Sequence, residues 1–190
     1  FTLVQADLAK LAWDETLALA GPGAVIAGNL PYVLTSKVLF AAADLRQEIS
    51  GGVFMVQKEV AERLVARPGG RDYGILSVVL GSVFNISVVR TVPAEVFWPR
   101  PEVASAVVRL APDGPWDEDE YQKFKTTVRT VFGQRRKKLR TLLRSLFDLD
   151  PSGVEAVVQA TGLDMDLRPE QIDRDGYRRL AAALPGEGAA

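Results

Sequence analysis

The chain contains no cysteine and no histidine. That excludes disulfides, thiolate and imidazole metal sites, cysteine nucleophiles and histidine acid–base pairs, so any catalysis proceeds without them. Long hydrophobic runs are also missing: no stretch approaches the roughly 20 apolar residues of a membrane-spanning helix. The first residues lack the basic-then-apolar layout of a secretory signal. A soluble cytoplasmic protein with no membrane partner is expected, with monomer the default state. Nor is there an excess of either charge, since 23 Lys and Arg against 24 Asp and Glu leave a net charge of −1. Any attraction to a polyanion must therefore come from a local patch. What is present is ample apolar content, 47% of 190 residues, enough for one full domain and a smaller second one.

Phe1-Thr2-Leu3-Val4, Ala24-Val25-Ile26-Ala27 and Val53-Phe54-Met55-Val56 are short apolar runs of the kind that form buried parallel strands. Helical segments are expected over Leu34–Arg46, with Leu34, Val38, Leu39 and Ala42 on one face, and over Lys58–Ala66, stopped by Pro68-Gly69-Gly70. This alternation predicts part of an α/β domain. Because the strand-like start at Phe1 has no cap or leader before it, the chain reads as a fragment lacking its N-terminus.

Farther on, Ile75 to Phe84 is ambiguous between helix and strand, whereas Ser87–Val92 and Ala104–Leu110 are rich in β-branched residues. The turn Trp98-Pro99-Arg100-Pro101 between them predicts an antiparallel return, and hence a mixed sheet with an antiparallel end. Pro112-Asp113-Gly114-Pro115 reads as a linker. The expected organisation is an α/β domain over 1–111, a linker over 112–116, a small all-α domain over 117–185 and a flexible tail over 186–190.

In the helical part, Asp117 with Glu120 predicts a capped start for a helix carrying Tyr121, Phe124, Val128, Val131 and Phe132, closed by Gly133. A second helix places Leu139, Leu142, Leu143 and Leu146 on one face. Ser152 with Glu155 repeats the capping signal, and Tyr177, Leu180, Ala181 and Leu184 supply a last amphipathic stretch.

Asn29-Leu30-Pro31-Tyr32 falls at the carboxyl end of a buried strand, where open α/β sheets hold their ligands. The Asn29 side-chain oxygen and the Leu30 carbonyl are two acceptors suited to the two protons of an exocyclic adenine amine, a poor nucleophile whose lone pair is delocalised. Pro31 biases Leu30 toward an extended backbone. Tyr32 offers an aromatic face for a base. As a bare tetrapeptide the same residues also suit an ordinary strand-to-helix turn.

Val25 to Leu39 resembles motif IV of amino-methyltransferases, in the Asn-Leu-Pro-Tyr form typical of KsgA-like ribosomal RNA adenine dimethyltransferases. Four more stretches resemble that family in order. They are Val56 to Arg63, Phe97 to Leu110, Phe132 to Arg140 (containing Gln134-Arg135-Arg136-Lys137) and Leu167-Arg168-Pro169-Glu170. The resemblance spans nearly all of the chain. It implies a Rossmann-like class I methyltransferase domain, of which the chain holds the C-terminal part, followed by a helical RNA-binding domain. The absent part would carry the Gly-rich turn and ribose-binding acid of the cofactor site, so the fragment alone is expected to be inactive.

The implied reaction is N6,N6-dimethylation of two adjacent adenosines in a 3′-terminal hairpin of small-subunit ribosomal RNA during ribosome biogenesis. S-adenosylmethionine is the methyl donor and no metal is required. Asn29, Leu30, Pro31 and Tyr32 hold the base, and Phe97 covers its opposite face. Asp7 and Asn29 lie by the cofactor, although a lone Asp at a strand end is more often a helix cap, and Ala6 stands where the family commonly has Gly.

Arg135, Arg136, Lys137, Lys138, Arg140 and Arg144 form a cationic run without an intervening acid, suited to RNA phosphates, and Lys58, Arg63 and Arg67 are weaker candidates. Pro169 and Glu170 need only a structural role at a helix start. The alternatives are a methyltransferase of the macrolide-resistance type acting on large-subunit RNA, and a non-catalytic ribosome-assembly factor that binds RNA.

Overall fold

The computed structural model describes residues 1–185; the expected tail over 186–190 lies outside the described residues. The polypeptide divides into two compact units. Phe1–Val65 with Leu80–Pro115 forms one, and Ala66–Val79 with the chain from Trp116 onward forms the other.

The first unit holds a four-stranded sheet. Its strands are β1 (Ala24–Asn29), β2 (Ile49–Gln57), β3 (Phe84–Val92) and β4 (Ser105–Pro112), in the spatial order β1-β2-β4-β3. β1 and β2 are parallel, whereas β4 runs antiparallel to both β2 and β3, giving the mixed sheet with an antiparallel end that the Pro-rich turn predicts. Of the helices, α1 (Trp13–Ala18) precedes the sheet, α2 (Thr35–Asp44) joins β1 to β2, and α3 (Lys58–Leu64) follows β2. The ambiguous stretch resolves into α4 (Ile75–Val83), which runs directly into β3; the division between the two units falls within this helix.

Strand periodicity sorts the side chains into two faces. Phe54, Val56, Phe84, Ala106, Val108 and Leu110 are buried on one face, against which α2 and α3 pack. Val38, Leu39 and Ala42 of α2 are buried as their spacing predicts. On the opposite face Val25, Ala27, Val53 and Arg109 reach solvent. Gly28 sits on the packed side, where a Cβ would come within 2.9 Å of a Leu30 methyl carbon and 3.7 Å of the Phe54 ring. The strand therefore narrows just before the Asn29 turn.

One expected strand is absent. Phe1-Thr2-Leu3-Val4 is exposed and forms no ladder. β-branched and aromatic residues favour a strand only when a neighbour supplies hydrogen bonds and a face to pack on, and none of the described residues does so here.

The second unit contains α5 (Glu118–Phe132), α6 (Leu139–Leu146), α7 (Pro151–Thr161) and α8 (Arg174–Ala183). α5 packs against α6 and α8, and α7 against α6 and α8. Tyr121, Phe124, Val128, Val131, Leu139, Leu142, Leu143, Tyr177 and Leu180 are fully buried. The Asp117 carboxylate accepts from the Glu120 amide at 3.1 Å, the cap read from the sequence.

The next cap differs from expectation. Asp150, not Ser152, caps α7: its carboxylate accepts from the Gly153 amide at 2.7 Å and from the Ser152 hydroxyl at 2.8 Å. These bonds to the ionised form hold its carboxyl below the usual carboxylate range. Pro151 at the first helical position leaves no amide to satisfy, which explains why the start lies two residues earlier. Gly162 closes the helix in the left-handed conformation at φ 66°.

The Arg168-Pro169-Glu170 turn belongs to the second unit's core through its backbone. The Pro169 carbonyl accepts from the Tyr177 hydroxyl at 3.0 Å, the Ile172 carbonyl from the Tyr73 hydroxyl at 3.1 Å, and the Glu170 carbonyl from the Gly69 amide at 2.7 Å. Burial is the main force pushing the Tyr73 phenol up to about 12, and Tyr177 is raised further still. Through these bonds the turn ties the segment Ala66–Val79 to the helices.

Candidate active site

The parallel pair β1 and β2 ends at the same side of the sheet where β3 finishes and β4 begins, since Asn29 aligns with Met55, Gln57 with Ser105, and Val92 with Ser105. At that end lies a hollow of about 300 Å³ lined by Asn29, Leu30, Pro31, Tyr32, Met55, Phe97, Pro99, Pro101 and Ser105. It thus brings together all five residues assigned to base binding: Asn29, Leu30, Pro31, Tyr32 and Phe97.

Alternation along β1 turns the Asn29 side chain toward solvent and buries Leu30. The Leu30 amide donates to the Met55 carbonyl at 3.4 Å, holding the turn to the neighbouring strand. Pro31 has φ −56° and ψ 130°, and its carbonyl accepts from the Leu34 amide at 2.9 Å to open the short 3-10 turn Tyr32–Leu34. Among the described residues neither the Asn29 carboxamide nor the Leu30 carbonyl has a hydrogen-bond partner. Two acceptors are therefore left open on the rim of one hollow.

Tyr32 is 39% exposed. Its hydroxyl shares a 3.2 Å hydrogen bond with the Ser105 hydroxyl, which fixes one end of the ring. Phe97 is half-buried, and among the described residues neither ring stacks on another. Two aromatic faces thus border the hollow without occupying each other.

Met55 and Ser105 also line the hollow, although neither belongs to the Asn-Leu-Pro-Tyr turn. The sequence signal for Ser105 is a hydroxyl at the start of a mostly apolar strand. Asp7 is exposed, is not among the lining residues, and accepts from the Ala9 amide at 2.8 Å through Oδ1. Its Oδ2 has no partner among the described residues.

In the helical unit the cationic run separates into two kinds of residue. Arg135 donates to the Arg71 carbonyl at 2.9 Å and lies 3.6 Å from the Glu170 carboxylate, while Lys138 donates to Asp166 at 3.1 Å. The charged side-chain groups of Arg136, Lys137, Arg140 and Arg144 have no protein partner among the described residues. Hollows of about 320 Å³ beside Phe132–Lys137 and about 740 Å³ beside Arg140 and Arg144 adjoin them. The first amides of α6, Leu139 and Arg140, are taken by the Leu167 and Met165 carbonyls at 2.8 and 3.0 Å. An anion beside Phe132–Lys137 would be met by side chains, whereas the hollow beside Arg140 and Arg144 is also lined by Asp148 and Asp150. Of the weaker candidates, Lys58 lies 3.7 Å from Glu62 and Arg63 pairs with Glu59.

A family profile described as "Ribosomal RNA adenine dimethylase" matches residues 3–181. "Ribosomal RNA small subunit methyltransferase A" of Anaeromyxobacter sp. (strain K) is 42% identical over 192 residues, covering 96% of this chain and 68% of that protein. The protein of the same name from Chlorobium phaeobacteroides (strain BS1) is 37% identical, with coverage of 96% and 66%.

Among solved structures, a dimethyladenosine transferase from Plasmodium falciparum is similar with a TM-score of 0.73 at 21% identity, covering 93% of this chain and 70% of that one. The 23S rRNA methyltransferase ErmE is similar with a TM-score of 0.63 at 23% identity and coverage of 95% and 70%. These two likenesses show the α/β methyltransferase fold, and the profile and curated relatives show the family. The chain belongs to the ribosomal RNA adenine dimethylases.

Proposed function

We propose that the protein transfers methyl groups from S-adenosylmethionine to N6 of adenosine in small-subunit ribosomal RNA, dimethylating two adjacent adenosines in a 3′-terminal hairpin. The observation that carries this reading is the pair of open acceptors, Asn29 and Leu30, on a hollow bordered by the unstacked rings of Tyr32 and Phe97. Such a site suits a planar base with an exocyclic amine.

The target base leaves its stack at a cost of about a few kcal/mol, offset by contact with Tyr32 and Phe97. Asn29 Oδ1 and the Leu30 carbonyl accept the two N6 protons and orient the nitrogen lone pair, while stabilising the positive charge that grows there. When bound, S-adenosylmethionine supplies the electrophilic methyl group. Asn29 and the free oxygen of Asp7 are the residues of this chain suited to contact it. As the N–C bond forms the methyl–sulfur bond would break and the sulfur leave as a neutral thioether, while the nitrogen, now cationic and acidic, releases a proton to water without a strong base; orientation and electrostatics supply most of the acceleration. The four unpaired cations Arg136, Lys137, Arg140 and Arg144 hold RNA phosphates.

Transfer of labelled methyl groups by the full-length protein tests the reading, with unmethylated small subunits and large-subunit RNA offered in parallel. Label on two adjacent small-subunit adenosines is expected. Label on large-subunit RNA alone would favour the macrolide-resistance type, and RNA binding without label would leave an assembly factor.

Division of the basic run leads to a separate expectation. Joint replacement of Arg136 and Lys137 by alanine removes up to two phosphate contacts, so the slope of log K against log salt should fall by about 0.7 to 0.9 per residue with the melting temperature unchanged. Replacing Arg135 should instead lower the melting temperature, because it removes the bond to Arg71 and the partner of Glu170. Filter binding across a salt series and thermal melts check both; equal behaviour of the two variants would contradict the division.

A further inference from the structure

Trp98 is 98% exposed, while Trp116 in the helical unit is 6% exposed. It stands between Phe97 and Pro99, both of which line the hollow, yet is not itself part of the lining. The indole thus extends into solvent one residue from Phe97, and has no hydrogen-bond or ring partner among the described residues. The loop carrying it is stiff: Pro99 and Pro101 each fix φ, and Arg100 pairs with Glu95 at 2.6 Å. Two exposed apolar side chains flank the aromatic residues of the hollow in sequence. Val33, next to Tyr32, is 91% exposed, and Val96, next to Phe97, is 65% exposed.

We infer that Trp98 is a second stacking platform, one that binds the nucleobase adjacent to the target adenosine in the RNA strand. The inference rests on reading the hollow as the adenine site. Three features support it. Extruding one base leaves its neighbour with an uncovered face, and an exposed indole carried between two residues that line the first site offers a matching one. A preformed Pro-rich loop presents that ring at little ordering cost. Since Arg100 is paired with Glu95, the loop carries no free cation, so the contact is stacking and not phosphate neutralisation. Its contribution is then independent of salt, in contrast to that of Arg136 and Lys137.

The test measures binding of this chain to an RNA hairpin whose loop holds one adenosine among uridines, at low and at high salt. Trp98→Ala is expected to weaken binding about tenfold at both salt levels, while Trp98→Phe stays within about threefold. Indole emission should be quenched on binding in the parent chain and much less in Trp98→Phe. Placing an abasic nucleotide on one side of the adenosine should weaken the parent about tenfold and leave Trp98→Ala no weaker than before, because both changes delete the same contact.

Unchanged affinity of Trp98→Ala, or penalties that multiply, would overturn the platform. An abasic nucleotide in place of the adenosine keeps the two readings apart. If it weakens binding while abasic neighbours do not, the hollow stands and the Trp98 platform falls. If it has no effect in any variant, the hollow is not the adenine site and the platform falls with it.

Discussion

Asn29→Ala is expected to lower kcat by about 10²- to 10³-fold in the full-length protein, the scale seen when a group stabilising developing charge is removed. The side chain is exposed and has no protein partner among the described residues, so melting temperature and salt-sensitive RNA affinity should barely move. Asn29→Asp keeps an acceptor at the same place and should retain more activity than Asn29→Ala. Single-turnover methyl transfer with saturating RNA isolates the chemical step. Alanine at position 29 turning over at the parent's rate would refute the assigned role of the turn.

The second large effect concerns the two rings. Tyr32→Ala and Phe97→Ala should each lower kcat/KM by roughly ten- to a hundredfold, corresponding to about 1–3 kcal/mol of base stacking. In the double variant the losses should not simply add, because both rings hold one base. Tyr32→Phe separates the ring from its hydroxyl. It removes only the bond to Ser105, worth about 0.5–1.5 kcal/mol, and should leave most activity in place. A double alanine variant within threefold of the parent would mean that the base does not lie between these rings.

Local features were the readable ones. Asn29-Leu30-Pro31-Tyr32 was legible because strand end, proline and acceptors are consecutive, and the Asp117 cap because donor and acceptor lie three residues apart. Features depending on distant partners were not. Tyr32 and Ser105 are 73 positions apart and meet only because β4 enters the sheet beside β2. The run Gln134 to Arg144 looks uniformly cationic as a sequence, yet Glu170 and Asp166 take up Arg135 and Lys138.

Ile75 to Phe84 was ambiguous for another reason. Ser77, Val78, Val79 and Leu80 are all fully buried, so no polar face reveals the helical period. Phe1 to Val4 shows the opposite error, strand-forming residues with no ladder to join.

The pleat of β1 also acts as a reading frame for the turn that follows it. Asn29 faces out and Leu30 faces in only because of the count from Ala24. Beyond the register shift between Ala24 and Val25 the pairing with β2 runs one to one as far as Asn29, and a side chain at Gly28 would crowd Leu30 and Phe54. Substitutions within Ala24–Gly28 change how firmly the turn is held. Insertion or deletion of a single residue within the regularly paired part, Val25–Gly28, exchanges the two faces, turning the carboxamide into the core and the leucine out to the substrate. Length, more than composition, is what this strand contributes to the chemistry.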